Sequence, residues 1–186
     1  LSVVEVGTAR FFMKAPNHNL LEFVLSQRVI LVEGPSEFIL MEAFFKKVTG
    51  FEPEKEGIHI LSVGGLSFMR FLEIAKLLKI KTAVIRDNDK NYQENIKENY
   101  REFDEFNEFM RVFAETDNDL STFEICIYNA NKEICNELFS SSLRRLTVEE
   151  YMLNNKTDVA YKLLEENKEQ LEIPSYIGEA IQWIRK

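Results

Sequence analysis

The chain has 186 residues, the length of one ordinary domain, and is 45% apolar and 29% charged, which suits a globular protein with a real core. No apolar stretch reaches the roughly 18 to 20 residues that a membrane span needs, and no signal-peptide pattern is present. The net charge of −8 argues against a plain nucleic-acid surface, but it is unevenly spread: between Asp87 and Asp119 stand 11 acidic and 4 basic residues, a net of −7, so the rest carries only −1.

Cys126 and Cys135 show no CxxC spacing, so we expect a reducing, cytoplasmic setting rather than a disulfide framework. The chain starts at Leu1, and Leu1–Phe12 reads as the middle of something, so we expect a fragment of a longer protein. In chain order, Val3–Met13 has the β-branched and aromatic character of a strand, and Asn17 or Asn19 is placed to cap a short helix through Ser26. Arg28–Val32 is a buried strand ended by the turn Glu33-Gly34-Pro35-Ser36, and Glu37–Val48 is a helix laid on the sheet. The pattern repeats with strand Ile58–Val63, turn Gly64-Gly65 and helix Ser67–Leu78. Strand Ile80–Ile85 follows, ended by Arg86-Asp87-Asn88-Asp89. Strands alternating with helices across short turns predict a parallel sheet.

Residues 95–115 have the spacing of one long helix, with Ile96, Tyr100, Phe103, Phe106, Met110 and Phe113 on one face and the acidity on the other. Phe123–Tyr128 reads as a fourth strand interrupted by Glu124. The last sixty residues read as helical, with a capping box at Thr147 and Glu150 and a helix opened by Pro174. No repeats are present, nor any GxxxxGK[ST] or GxGxxG, so no P-loop for ATP.

The chemistry concentrates in acids at strand ends. Glu33 closes the first strand, where open α/β sheets place their ligands. Glu37 follows in the first turn of the next helix, Asp87 and Asp89 close the third strand, and Glu124 lies further on. Each alone has an ordinary reading: a surface acid, a helix-dipole acid, turn chemistry. Together at the ends of neighbouring strands they repel and raise one another's pKa unless a cation sits among them. All-oxygen donors favour Mg²⁺ or Mn²⁺. Zinc is disfavoured, because His18, His59 and the cysteines form no ligand pattern. Lys156, ahead of a helix where the dipole disfavours a cation, reads on pattern alone as an exposed loop lysine.

Val29-Ile-Leu-Val-Glu-Gly-Pro-Ser-Glu37 followed by Ile85-Arg-Asp-Asn-Asp89 resembles the Toprim domain of topoisomerases, primases and several nucleases. Phe12-Met-Lys-Ala-Pro-Asn17, Leu21-Glu-Phe-Val-Leu25, Leu61-Ser-Val-Gly-Gly65, Thr122-Phe-Glu124 and Asn155-Lys-Thr157 narrow the resemblance to the C-terminal part of OLD-family (overcoming lysogenisation defect) nucleases, with Gabija-type nucleases as relatives. The resemblance implies an α/β, Rossmann-like Toprim core over 28–140, with about four parallel strands flanked by helices and a helical insertion near 90–119. A helical subdomain would follow over 141–186. Residues 1–27 would connect to a missing N-terminal ABC-type ATPase domain, the only place for ATP.

By position, Glu33, Asp87 and Asp89 resemble ligands of one metal ion. Glu37 and Glu124, with Thr122, resemble the side of a second ion, and Lys156 resembles a basic residue near the scissile phosphate. The activity implied is DNA cleavage or nicking with two Mg²⁺ or Mn²⁺ in phage defence, by a protein that is a homo-oligomer at full length. The alternatives are a topoisomerase- or primase-like enzyme, a non-catalytic scaffold binding DNA or a partner, and a nucleotide phosphohydrolase.

Overall fold

The computed structural model describes residues 6–14, 18–143, 145–167 and 169–186. Four parallel strands, β1 (Arg28–Val32), β2 (Ile58–Ser62), β3 (Lys81–Ile85) and β4 (Met110–Phe113), lie in the order β2-β1-β3-β4. Ile30 pairs with Ile60 on one side and with Ala83 on the other, and Ile85 pairs with Phe113. β1 is central because Val29 to Val32 have no solvent-exposed surface, as a strand covered on both faces requires.

Side-chain alternation along β1 divides the core in two. Ile30 and Val32 join Leu40, Met41, Phe44 and Phe45 of α3 (Pro35–Thr49), together with the C-terminal helices, on one face. Val29 and Leu31 join Phe68, Phe71, Leu72 and Ala75 of α4 (Phe68–Leu78), and Phe23 of α2 (His18–Leu25), on the other. α3 starts with Pro35 just inside its first turn and ends at Gly50 (φ 80°), whose N–H donates to Lys46 O. The chain runs from β1 to β2 on one side and then returns to place β3 on the other. The strand order therefore reverses between β1 and β3, and their carboxyl ends open the crevice where such sheets hold ligands.

The remaining helices are α1 (Val6–Lys14), α5 (Phe123–Ala130), α6 (Lys132–Phe139), α7 (Val148–Asn154), α8 (Lys156–Asn167) and α9 (Ser175–Arg185). The Thr147–Glu150 capping box forms, and Pro174 precedes α9. No helix among the described residues is long and apolar enough to cross a membrane.

Four expectations are corrected. The stretch expected as a strand over Val3–Met13 is helical from Val6 to Lys14, and residues 1–5 lie outside the described residues. Of the two candidate caps, Asn17 lies outside the described residues, and Asn19 sits inside α2 with its amide donating to Ser62 O at 2.6 Å. Residues 95–115 are not one helix: a π-helical turn (Gln93–Glu98) and a 3₁₀ turn (Arg101–Phe106) lead into β4. The expected burial of Ile96, Tyr100, Phe103, Met110 and Phe113 holds, but asparagines divert the backbone. The Asn91 Oδ1 accepts from Glu94 N–H, the Asn95 amide donates to Asn88 O, and the Asn118 Oδ1 accepts from Tyr92 N–H.

Phe123–Tyr128 is the start of α5, not a fourth strand. Thr122 caps it, accepting from Ile125 N–H at 3.4 Å, and the buried residues Phe123, Cys126 and Ile127 recur at helical spacing.

Candidate functional site

The fold sets three carboxylates around the crevice by simple local means. Glu33 is the first residue beyond β1, and Asp87 stands two residues beyond the end of β3. Glu37, 7% exposed, occupies the first turn of α3, close enough to the entering chain that a Cβ on Gly34 would lie 3.2 Å from its Oε2. Gly65 makes room for Glu33: a Cβ there would fall 2.7 Å from the Glu33 Cδ. The preceding Gly64 has φ 78°, in the left-handed region that favours glycine.

Two further residues arrive from the C-terminal half. Glu124, 4% exposed, lies in the first turn of α5, where Asp87 Oδ1 accepts from the Phe123 N–H at 2.7 Å. Lys156, its side chain half-exposed, opens α8, and its Nζ donates to Glu124 Oε2 at 2.8 Å. The helix dipole that disfavours a cation there is outweighed by a buried carboxylate in direct contact. Thr122 stands beside this group with its hydroxyl engaged in the cap.

The Asp87-Asn88-Asp89 turn is tightly held. Asp89 (φ 50°) and Lys90 (φ 67°) are left-handed, a conformation that needs support. Asn88, 1% exposed, supplies it: its amide donates to Glu115 O at 2.9 Å and Asp117 O at 2.8 Å, and its Oδ1 accepts from Lys90 N–H. Asp89 is the outermost acid, more than half exposed, with Arg86 Nη2 3.7 Å from its Oδ2.

Electrostatics bind these groups into one site. Burial, then Glu37, Glu124 and Glu33, pushes Asp87 up to about 8, against a pull down from the Phe123 N–H. Burial, opposed by its backbone hydrogen bond and then reinforced by Glu124 and Glu33, pushes Glu37 up to about 7. Glu33 is raised by burial, with Arg86 pulling it down and Asp89 pushing it up. Burial pulls Lys156 down, but its bond to Glu124 and the fields of Glu124, Asp87 and Glu37 outweigh that and leave it raised.

All seven residues singled out from the sequence thus gather at the crevice, with Asp89 at its rim. As placed, no three His, Cys, Asp or Glu side chains among the described residues close around a point that could hold a metal ion. Hydrogen bonds and ion pairs with Phe123, Lys156 and Arg86 engage Asp87, Glu124 and Asp89. The donor set is nonetheless all oxygen, as a hard divalent cation prefers, and Glu33, Glu37 and Glu124 each add to the burial that raises Asp87. Sequence reasoning missed Asn88, Gly65 and Arg86. A small polar residue between two acids after a buried strand was the available signal for Asn88.

A four-stranded parallel sheet in the order 2-1-3-4, with acids at the ends of β1 and β3 flanking the point of reversal, defines a Toprim-type α/β domain. Residues 24–89 match the family model described as the overcoming lysogenization defect protein-like Toprim domain, and this segment is an OLD-like Toprim domain. The match takes in Glu33, Glu37, Asp87 and Asp89; Thr122, Glu124 and Lys156 lie beyond it.

Solved structures share the fold over most of the chain. The C-terminal region of the Burkholderia pseudomallei OLD protein superposes with a TM-score of 0.54 at 18% identity, covering 86% of this chain and 97% of that one. The C-terminal region of the Xanthomonas campestris pv. campestris OLD protein gives 0.53 at 21% identity, covering 86% and 94%. A second structure of that region gives 0.52 at 22% identity, covering 88% and 94%. No curated protein matches the chain.

Proposed function

We propose that this domain is a divalent-metal-dependent DNA endonuclease or nickase that hydrolyses phosphodiesters. The reading is carried by Asp87 and Glu37, raised to about 8 and about 7 at the crevice of an OLD-like Toprim fold. Carboxylates so crowded favour a cation, and the all-oxygen donors suit Mg²⁺ or Mn²⁺. Glu33, Asp87 and Asp89 would hold one ion, and Glu37 and Glu124, with Thr122, a second. Such ions supply Lewis-acid polarisation of the phosphate and a more acidic water.

The chain's own groups do the rest. As the water oxygen bonds to phosphorus and the bridging P–O bond breaks, a Glu33 carboxylate oxygen left free by the ion would accept the water's proton. Lys156 sets a positive charge against the one building on the phosphoryl oxygens. The cavities of about 580 Å³ along β4 and about 710 Å³ between α3 and α8 contain none of the seven residues, and the cavity that Glu124 and Lys156 line is only about 10 Å³, too small to enclose a nucleotide. In this reading ATP acts only through an N-terminal ABC-type ATPase domain outside this chain. The whole protein is a homo-oligomer, and phage defence is its role.

The test is nicking of supercoiled plasmid in Mn²⁺ by the wild type, Glu33→Gln and Asp87→Asn. Nicking by the wild type that both substitutions abolish is expected; nicking that survives both, or none in the wild type, overturns the reading. A second reading, a scaffold that binds DNA without cutting it, draws support from the ion pair between Lys156 and Glu124, which already balances one acid. Metal-independent binding without nicking would establish it.

A further inference from the structure

We propose that Arg86 is a second phosphate-contacting cation of this site, standing on the side away from Lys156 and held there by Tyr100. The proposal rests on the nuclease reading only in taking a DNA phosphate as the ligand. A guanidinium carries five N–H donors and, among carboxylates, ordinarily pairs with one of them through two parallel bonds. Arg86 does not. Its Nη1 donates to the Tyr100 hydroxyl at 2.6 Å, its Nη2 stays 3.7 Å from Asp89 Oδ2, beyond hydrogen-bond reach, and its Nε is buried with no partner among the described residues.

Tyr100 is 3% exposed, and the guanidinium carbon lies 5.5 Å from its ring centroid. The hydroxyl and the ring face together turn the guanidinium, which has few protein partners while 19% of the side chain remains exposed. Nε is closed to a ligand by burial, but the Nη2 donors, on a side chain still partly exposed, suit an anion with several acceptor oxygens.

The placement is complementary to that of Lys156. Arg86 is the nearest ion-pair partner of Asp89 and the strongest charge acting on Glu33. Lys156 is bonded to Glu124 and also acts on Glu37. Both cations act on Glu33, while Arg86 stands beside Asp89 and Lys156 is bonded to Glu124, so a strand laid across the crevice would meet Lys156 at one phosphate and Arg86 at another. Tyr100 belongs to the acidic stretch before β4, and holding Arg86 gives that stretch a part in the site.

The experiment is the salt dependence of binding to a labelled duplex oligonucleotide, read by fluorescence anisotropy in Ca²⁺ so that binding is separated from cleavage. Arg86→Gln should lower the slope of log K against log salt by about 0.9, the loss of one phosphate contact. Arg86→Lys should keep the slope but bind several-fold more weakly, because an ammonium cannot use the Tyr100 cradle in the same way. Thermal melts establish that both variants fold. An unchanged slope in a folded Arg86→Gln protein, wild-type affinity in Arg86→Lys, or no duplex binding by the wild type would each overturn the proposal. A wild type that binds with an Arg86-dependent slope yet never nicks DNA in Mn²⁺ would sink the nuclease reading and leave this one standing.

Discussion

Asp87 Oδ1 accepts a hydrogen bond from the Phe123 backbone N–H at 2.7 Å, so the carboxylate after β3 also fastens the helix that carries Glu124. Charge and acceptor can be separated by substitution. Asp87→Asn keeps an oxygen for Phe123 and removes the repulsion, so in EDTA at pH 8 it should melt above the wild type and gain nothing from Mg²⁺. Asp87→Ala also loses the bond at the helix start, a loss of about 1 kcal/mol. It should therefore melt roughly 2–4 °C below Asp87→Asn. Calorimetry of the three proteins with and without Mg²⁺ checks both steps.

The metal-free protein should lose stability as pH rises. Asp87 goes from an ordinary 3.8 to about 8 and Glu37 from 4.5 to about 7, so between about pH 4 and pH 8 the folded state binds more protons than the unfolded one. The contribution of these two groups is full below their unfolded values and is lost as pH climbs through their folded ones. Urea midpoints in EDTA should fall across that window, and Glu37→Gln with Asp87→Asn should flatten the fall. With Mg²⁺ the trend should weaken or reverse, since protons and metal compete for the same oxygens.

Gly65→Ala tests the seat of Glu33. The new Cβ would meet the Glu33 carboxylate at 2.7 to 2.9 Å, and that flexible end can swing aside with little strain. The melting temperature should move by no more than about 2 °C, while Mn²⁺-dependent nicking falls roughly tenfold or more, because placement rather than folding is lost. Unchanged nicking would remove Glu33's present position from the mechanism.

Lys156→Met strips the counter-ion from Glu124, which is 4% exposed. An unpartnered buried acceptor costs about 1–3 kcal/mol, so the variant should be destabilised in EDTA. Mg²⁺ should recover part of that loss, while nicking falls by roughly 10²–10³ for want of the charge near the phosphate. Denaturant titrations and single-turnover cleavage read the two effects separately.

The candidate site was legible to the extent that it is written in local sequence. Glu33, Glu37, Asp87 and Asp89 follow from buried strands ending in acids at turns, and Glu124 stood out as a charge in an apolar run, while Thr122 came only from the family resemblance. That run was read as a strand because a six-residue apolar stretch broken by one acid fits either period; Thr122 as a cap was the stronger signal. Lys156 carried no pattern of its own, since its partner stands 32 positions away. Asn88 and the Arg86–Tyr100 contact were missed because each is defined by loops brought in from elsewhere.

By itself the sequence determined the β–α alternation, the acids at the ends of β1 and β3, the capping box before α7 and the turn at Gly64. These are set by side-chain period, backbone freedom and caps that act within a few residues. Only the tertiary structure decided that β4 lies at Met110–Phe113 and not beyond Thr122. It also decided that Lys156 meets Glu124 and that Arg86 donates to the Tyr100 hydroxyl. Short amphipathic segments are nearly degenerate between helix, turn and strand, and the choice falls to the sheet edge, the buried asparagines and the distant partner that satisfy their backbone and charge.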